Sequence, residues 1–451
     1  MSKEQIKYLK SLKAIRERSK KVYQKAESNA LNHFQVDLSK LQNAVEVINK
    51  LMKRDYESIK DIPPHGRWRH FDVGGKPRVQ HLIEKKWKKE QGCETREITR
   101  RLLDLFVVSV LLDAGAGSSW SYKEPSTGEI YNRSEGLAIA SLDMFISGIF
   151  SSSTSQPYQV DADKLINIRE DDVRLAFQVN ENNLLEGLEG RANLLSRLGY
   201  ALKTHLEFFK SEENSYLRPG NLLDYILSQS TIDQNKKNIV NINTLWSVII
   251  DGLSEVWPPT RTSLNGVSLG DVWSCELLVE TKIDTGEEGA IDPTSNLIPF
   301  HKLSQWLAYS LIEPLSKISG IIFEGIENLT GLPEYRNGGL FVDTGVLTLK
   351  EKDYDRGIEY FRENNNNNNN EVVPMFEIDD PVIIEWRSMT LILLDIVGER
   401  IRDSLGLSPE QLSLAQVLEA GTWKAGREIA ATKRPISKGP PIAIKSDGTV
   451  F

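Results

Sequence analysis

Four clusters of polar residues stand out in a chain that is 40% hydrophobic, and each holds groups suited to binding or transforming a small molecule. The first is Pro64-His-Gly-Arg-Trp-Arg-His-Phe, where Arg67 and Arg69 alternate with Trp68 and His70. Guanidinium forks match phosphate and carboxylate oxygens; two such arginines can equally clamp helix ends. The second cluster runs from Asp113 to Glu135. Asp113 follows an apolar helical run, where the macrodipole and burial both disfavour a negative charge, so it needs a partner or a ligand hydroxyl. Gly115 and Gly117 let backbone approach a ligand, and Trp120 offers a stacking face. A helix stop with a tight turn accounts for the glycines but not for the acid. In the third, Pro299-Phe-His-Lys-Leu-Ser-Gln-Trp, His301 and Gln305 stand four apart on one helical face, with Lys302 adjacent. A lysine there either snorkels outward or is paired inside a site. The fourth, Gly331-Leu-Pro-Glu-Tyr-Arg-Asn-Gly-Gly-Leu, puts Glu334 and Arg336 on a glycine-bracketed turn, where scaffolds present catalytic groups. An exposed ion pair is the plainer reading of those two.

Other chemistries find little support. The six histidines are scattered, and neither HExxH nor CxxC occurs, so the expectation is no metal site. GxGxxG and GxSxG are absent, and Gly74-Gly-Lys-Pro lacks the phosphate-loop spacing. A net charge of −8 argues against general affinity for nucleic acid but not against a small anion. Cys93 and Cys275 are too few for a disulfide framework and read as reduced thiols. The Lys- and Arg-rich start carries acids and no apolar core, unlike a secretory signal. The longest apolar run, Leu102 to Leu112, is broken by Asp104 and too short for a bilayer. The expectation is a cytoplasmic protein with no membrane and no nucleic-acid partner.

Positioning these clusters falls mainly to helices. Ile6, Leu9, Leu12 and Ile15 form one stripe, and Leu41, Val45, Ile48 and Met52 another. Ile98 to Leu112 is apolar nearly all round and reads as a buried helix. A hairpin is expected through Pro125-Ser-Thr-Gly, joining strands near Trp120-Ser-Tyr-Lys and Glu129-Ile-Tyr. Helical patterns resume at Ala138–Ile149, Leu184–Phe209, Leu245–Leu253 and Leu303–Leu315. Pro381 reads as the first-turn proline of a helix from Val382 to about Leu405. The fold class expected is mainly α: an N-terminal helical segment over 1–55, then one large helical globular domain over 56–451 with a small β-hairpin. A charged stretch at about 350–374, with seven asparagines from Asn364 to Asn370, reads as a disordered insertion. Deleting Asn364 to Asn370 should therefore leave melting temperature and activity near wild type, since loop-closure entropy grows slowly with length; a large loss of either would contradict this. The tail from Lys433 ends in apolar residues, which suggests docking on the body.

Read in order, HGRWRHFDVGGKPRV, LLDAGAGSSW, SEGLAIASLDMF, FHKLSQWLAYSLIEP, GLPEYRNGGLF, Glu385-Trp-Arg, EAGTWKAGR and the final SDGTVF resemble the uracil-catabolism protein 4 family, from about residue 5 to 451. The resemblance implies a place in pyrimidine degradation. There uracil becomes its nucleotide, the ring is opened, and urea is left on ribose phosphate for this step to release. LLDAGAGSSW, HKLSQ and PEYR also resemble, more weakly, motifs of the queuosine-nucleotide salvage glycosylases. Those in turn look related to the helix-hairpin-helix DNA glycosylases, which use a lysine and a carboxylate. Carried over, the lysine is Lys302 and the carboxylate Glu334, although the salvage enzymes have Asp where this chain has Glu.

The resemblance thus implies hydrolysis of the N-ribosidic bond of ribosylurea or its 5′-phosphate, without metal or redox cofactor. The partner is a nucleotide-like small molecule. Glu334 would stabilise an oxocarbenium-like transition state and direct water, and Lys302 would keep it ionised. Asp113 would accept ribose hydroxyls, and Arg67 or Arg336 would take a phosphate. Trp120, Arg69, His70, Glu135, His301, Gln305, Tyr335 and Arg387 complete the expected substrate-binding set. Two rivals stay open: an amidohydrolase acting on the opened ring, and a non-catalytic nucleotide-binding regulator.

Overall fold

Apolar periodicity becomes helix wherever it is long enough to cover a core face. The computed structural model describes residues 2–117, 119–279, 292–364 and 371–445. Its secondary structure is mainly α-helical, with small sheets of two or three strands. Among the described residues no helix is long and apolar enough to cross a membrane. The chain divides into two compact units that do not follow the expected boundary at residue 55. One comprises the chain up to Pro64, Arg261–Lys302 and Glu327–Lys445; the other comprises His65–Thr260 and Leu303–Ile326.

In the first unit, Ser2 and Gln5 form a capping box that starts the helix Lys3–Leu9, and Ser11 caps Leu12–Glu27. The second of these packs on the 25-residue helix Pro381–Leu405, so the N-terminal helices belong to a larger core instead of standing apart. Asp380 accepts from Val382 N, Pro381 fills a first-turn position that needs no donor, and Gly406 closes the helix at φ 66°. The helix Tyr335–Asp343 lies against Trp423–Lys433. Gly426 permits that approach, because a Cβ there would stand 2.1 Å from the Arg336 carbonyl oxygen. Strands Val272–Ser274 and Leu297–Pro299 pair antiparallel, with Trp273 opposite Ile298.

One expectation for this unit is corrected. Glu351–Asn364 is not a disordered insertion but a helix. Its stability comes from partners distant in sequence: Arg356 pairs with Asp380 and lies over Phe376, and Asp353 is buried 3.0 Å from His33 Nδ1. Asn365 to Asn370, and the expected docking of Ser446 to Phe451, lie outside the described residues.

The second unit is built around the helix Thr95–Leu111, buried continuously from Ile98 to Leu111. Asp104, the charge inside this run, accepts from Val160 N, Gly220 N and the Arg218 guanidinium. Burial nevertheless raises its pKa to about 6. The expected hairpin is present: Ser121–Lys123 pairs antiparallel with Ile130–Asn132, and Tyr122 faces Tyr131. Arg133–Ile146 follows it and packs on the buried helix.

Candidate functional site

In the first unit the site begins with Glu334. It is the N-cap of the helix Tyr335–Asp343, in extended conformation, and both carboxylate oxygens accept backbone N–H groups. Arg336 N donates to Oε2 and Asn337 N to Oε1, each at 2.6 Å. The carboxylate is buried, not part of an exposed ion pair. Burial raises its pKa above the ordinary glutamate value, against these two hydrogen bonds and the positive charges of Lys302 and Arg336. The Arg336 side chain lies over the Tyr335 ring, 5.1 Å from its centroid, and donates to the Lys438 carbonyl at 2.9 Å.

Lys302 is placed by a residue that no motif had marked. Asp271 Oδ2 accepts the Lys302 backbone N–H at 2.9 Å, and its Oδ1 accepts Trp273 Nε1 at 2.6 Å. The same carboxylate takes a two-pronged bond from Arg387, at 2.8 and 2.7 Å. Burial opposes the charge on Asp271, but Arg387 and the other donors outweigh it and hold its carboxyl well below the usual range. Arg387, expected to bind substrate, is thus engaged within the protein; it lies 4.0 Å over the Phe300 ring and its Nε reaches the Pro333 carbonyl at 3.4 Å.

His301 departs from the expected geometry. The helix starts at Lys302, and His301 precedes it at φ 47°, so it shares no helical face with Gln305. Its buried ring places Nε2 2.8 Å from the Leu9 carbonyl oxygen, and burial lowers its pKa. Gln305 belongs to the second unit and is fully buried.

The second unit assembles a separate polar cluster on Arg67, which has no exposed surface. Its Nη1 lies 2.7 Å from Asp113, so the acid after the buried helix finds its partner in this arginine. Arg67 Nε donates to Ser109 Oγ at 2.8 Å, and Ser109 meets Ser141 at 2.6 Å. Nη1 also donates to His70 Nδ1 at 3.1 Å. Arginine cannot accept, so that nitrogen must, which puts the ring proton of His70 on Nε2. Burial lowers the Arg67 pKa, while the negative charges of Asp113 and Glu135 oppose that.

Two members of the expected set are occupied elsewhere in this unit. Arg69 pairs with Glu313. Trp120 is no free stacking face: it is buried, stacked on Phe177, and donates from Nε1 to the Phe177 carbonyl at 3.0 Å. The Asp113 loop has a holder that the motifs missed. Buried Arg191 donates to the carbonyls of Leu112, Ala114, Gly115 and Glu186, fixing the backbone on both sides of the acid. Burial lowers its pKa to about 10. Gly117, at φ 79°, admits the Glu186 side chain where a Cβ would stand 2.8 Å from it. An arginine set among the apolar positions of Leu188–Thr204 was the available signal for Arg191, though Arg197 shares that helix; Asp271, in Gly270-Asp-Val-Trp, offered none.

Comparison with known proteins agrees with the resemblance read from the motifs. "Uracil catabolism protein 4" of Lachancea kluyveri is 42% identical over 452 residues, covering 99% of each chain. "Protein urg3" of Schizosaccharomyces pombe is 42% identical over 456 residues, covering 100% of each. The family described as "Protein of unknown function (DUF1688)" matches residues 8–451. On a match spanning nearly its whole length, the chain belongs to the DUF1688 family.

Proposed function

We propose that this protein acts in uracil catabolism as an N-glycosidase, hydrolysing the bond between ribose C1′ and a urea nitrogen in ribosylurea or its 5′-phosphate. The observation that carries the reading is the setting of Glu334. A buried carboxylate held at a helix N-terminus by two backbone N–H groups, with a lysine's charge acting on it, is rigid and already desolvated. Such a group is worth most where positive charge develops, as it does at C1′ when an N-ribosidic bond loosens. The name of the L. kluyveri relative supports the pathway, and the weaker motif resemblance of LLDAGAGSSW, HKLSQ and PEYR to the salvage glycosylases suggests the bond type.

In the proposed step the C1′–N electron pair leaves with urea, and a water oxygen bonds to C1′. One water proton ends on the urea nitrogen and the other on the new anomeric hydroxyl. Glu334 faces the developing cation and receives the proton from water as it attacks. Lys302 keeps Glu334 ionised against the cost of burial.

Purified protein incubated with ribosylurea, with and without the 5′-phosphate, is the test. Mass spectrometry should detect urea together with free ribose or ribose 5-phosphate. Ammonia released while the sugar stays attached would favour an amidohydrolase, and tight binding without turnover would favour a regulator; either contradicts the reading.

A further inference from the structure

The Asp271–Arg387 pair does more than neutralise itself inside the first unit. Both side chains are essentially without exposed surface. Each end of the pair touches the backbone of a residue at or next to the proposed catalytic groups. Asp271 Oδ2 accepts the Lys302 N–H at 2.9 Å, and Arg387 Nε reaches the carbonyl of Pro333, immediately before Glu334, at 3.4 Å. The Asp271 carbonyl oxygen also accepts from Phe300 N at 2.9 Å and His301 N at 3.4 Å, fixing the entry to Lys302. Arg387 comes from the second turn of the helix Pro381–Leu405, whose both ends are capped, and its guanidinium rests on Phe300.

We infer that Asp271 and Arg387 are positioning residues, a buried brace that sets the separation between Lys302 and Glu334. This rests on the glycosidase reading of Glu334 and extends it to what holds the carboxylate ready. Asp271 fixes where the chain leaves the strand Leu297–Pro299 and enters the helix at Lys302, and Arg387 ties that point to the segment leading into Glu334. A bidentate fork with a third nitrogen to spare is needed to serve both ends at once, so lysine cannot replace it. The charges acting on Glu334 are those of Lys302 and Arg336, and those acting on Arg387 are Asp271 and Arg261. If the brace loosens, the Lys302 charge moves away from Glu334, and the buried carboxylate becomes harder to ionise. Turnover, which needs the ionised form, would then fail at a higher pH.

The test compares R387K with R434K, a variant of the part-buried Arg434–Asp343 pair elsewhere in this unit. Both should lower the melting temperature. Only R387K should reduce kcat, by roughly tenfold to a hundredfold, the scale of a displacement near 1 Å, with KM within about twofold. Only R387K should also move the acid limb of the kcat–pH profile upward. A folded R387K with the wild-type limb and turnover, or the same shifts in R434K, would overturn the brace. If R387K cannot be obtained folded, D271E gives the same comparison, since its extra methylene displaces the carboxylate from the Lys302 N–H. E334Q is measured alongside with ribosylurea and its 5′-phosphate. Full turnover in E334Q overturns the glycosidase reading, whereas loss there with an unchanged profile in R387K overturns the brace alone.

Discussion

Glu334→Gln is expected to lower kcat by roughly a hundredfold or more, the scale of removing one preorganised electrostatic stabiliser. The substitution keeps the side chain's size and leaves an oxygen able to accept one of the two N–H groups of Arg336 and Asn337. What it removes is the charge. In the proposed mechanism that charge matters most at the transition state, so KM should change by less than about threefold. The pH profile is the second signature. Burial raises the Glu334 pKa, so wild-type turnover should fall as the pH is lowered through a value above the ordinary glutamate range. With no ionisable group at this position, the residual activity of E334Q should lack that limb. A folded E334Q enzyme with full turnover would remove Glu334 from the chemistry, and loss of activity in D113N alone would move the search to the second unit.

Asp113→Asn should produce the largest loss of stability. Arg67 has no exposed side-chain surface and Asp113 only 8%, with 2.7 Å between them. Breaking a buried pair from one side leaves a desolvated charge, at a cost of about 3–5 kcal/mol. At about 2–4 °C per kcal/mol for a unit of this size, the melting temperature should fall by roughly 6–20 °C. Adding Arg67→Met removes the stranded charge, so the double variant should recover part of the loss. A fall below about 2 °C in D113N would mean that the pair is solvated in solution.

The helices were legible because their apolar spacing is local. Ile98 to Leu112 and the proline-started helix to Leu405 declare themselves within one or two turns, and both appear within a few residues of their expected ends. Glu351–Asn364 escaped because its support is not local: its charges find His33, Phe376 and Asp380 across the chain. Phe34–Val36 escaped likewise, pairing with Leu347–Leu349 some three hundred residues away. Within the site, Glu334 and Lys302 stood in motifs that the family resemblance marked. His301 was misplaced because helical spacing was assumed one residue too early, and a left-handed φ turns it into the core. Trp120 and Arg387 were legible as stacking and anion-binding side-chain types but not as occupied ones, since a buried acceptor or acid partner leaves no trace beside them in sequence. Asp271 had no signal at all, although it holds the lysine.

Hydrolysis in water enriched in oxygen-18 tests the glycosidase claim most directly, because the label reports which bond water attacks. Protein is incubated with ribosylurea 5′-phosphate, the sugar is trapped by borohydride before its anomeric oxygen exchanges, and both products are weighed by mass spectrometry. The expected result is one heavy oxygen on sugar C1 and urea released intact without label. Label in carbon dioxide, with ammonia released and no labelled sugar, would place the attack on the urea carbonyl and contradict it.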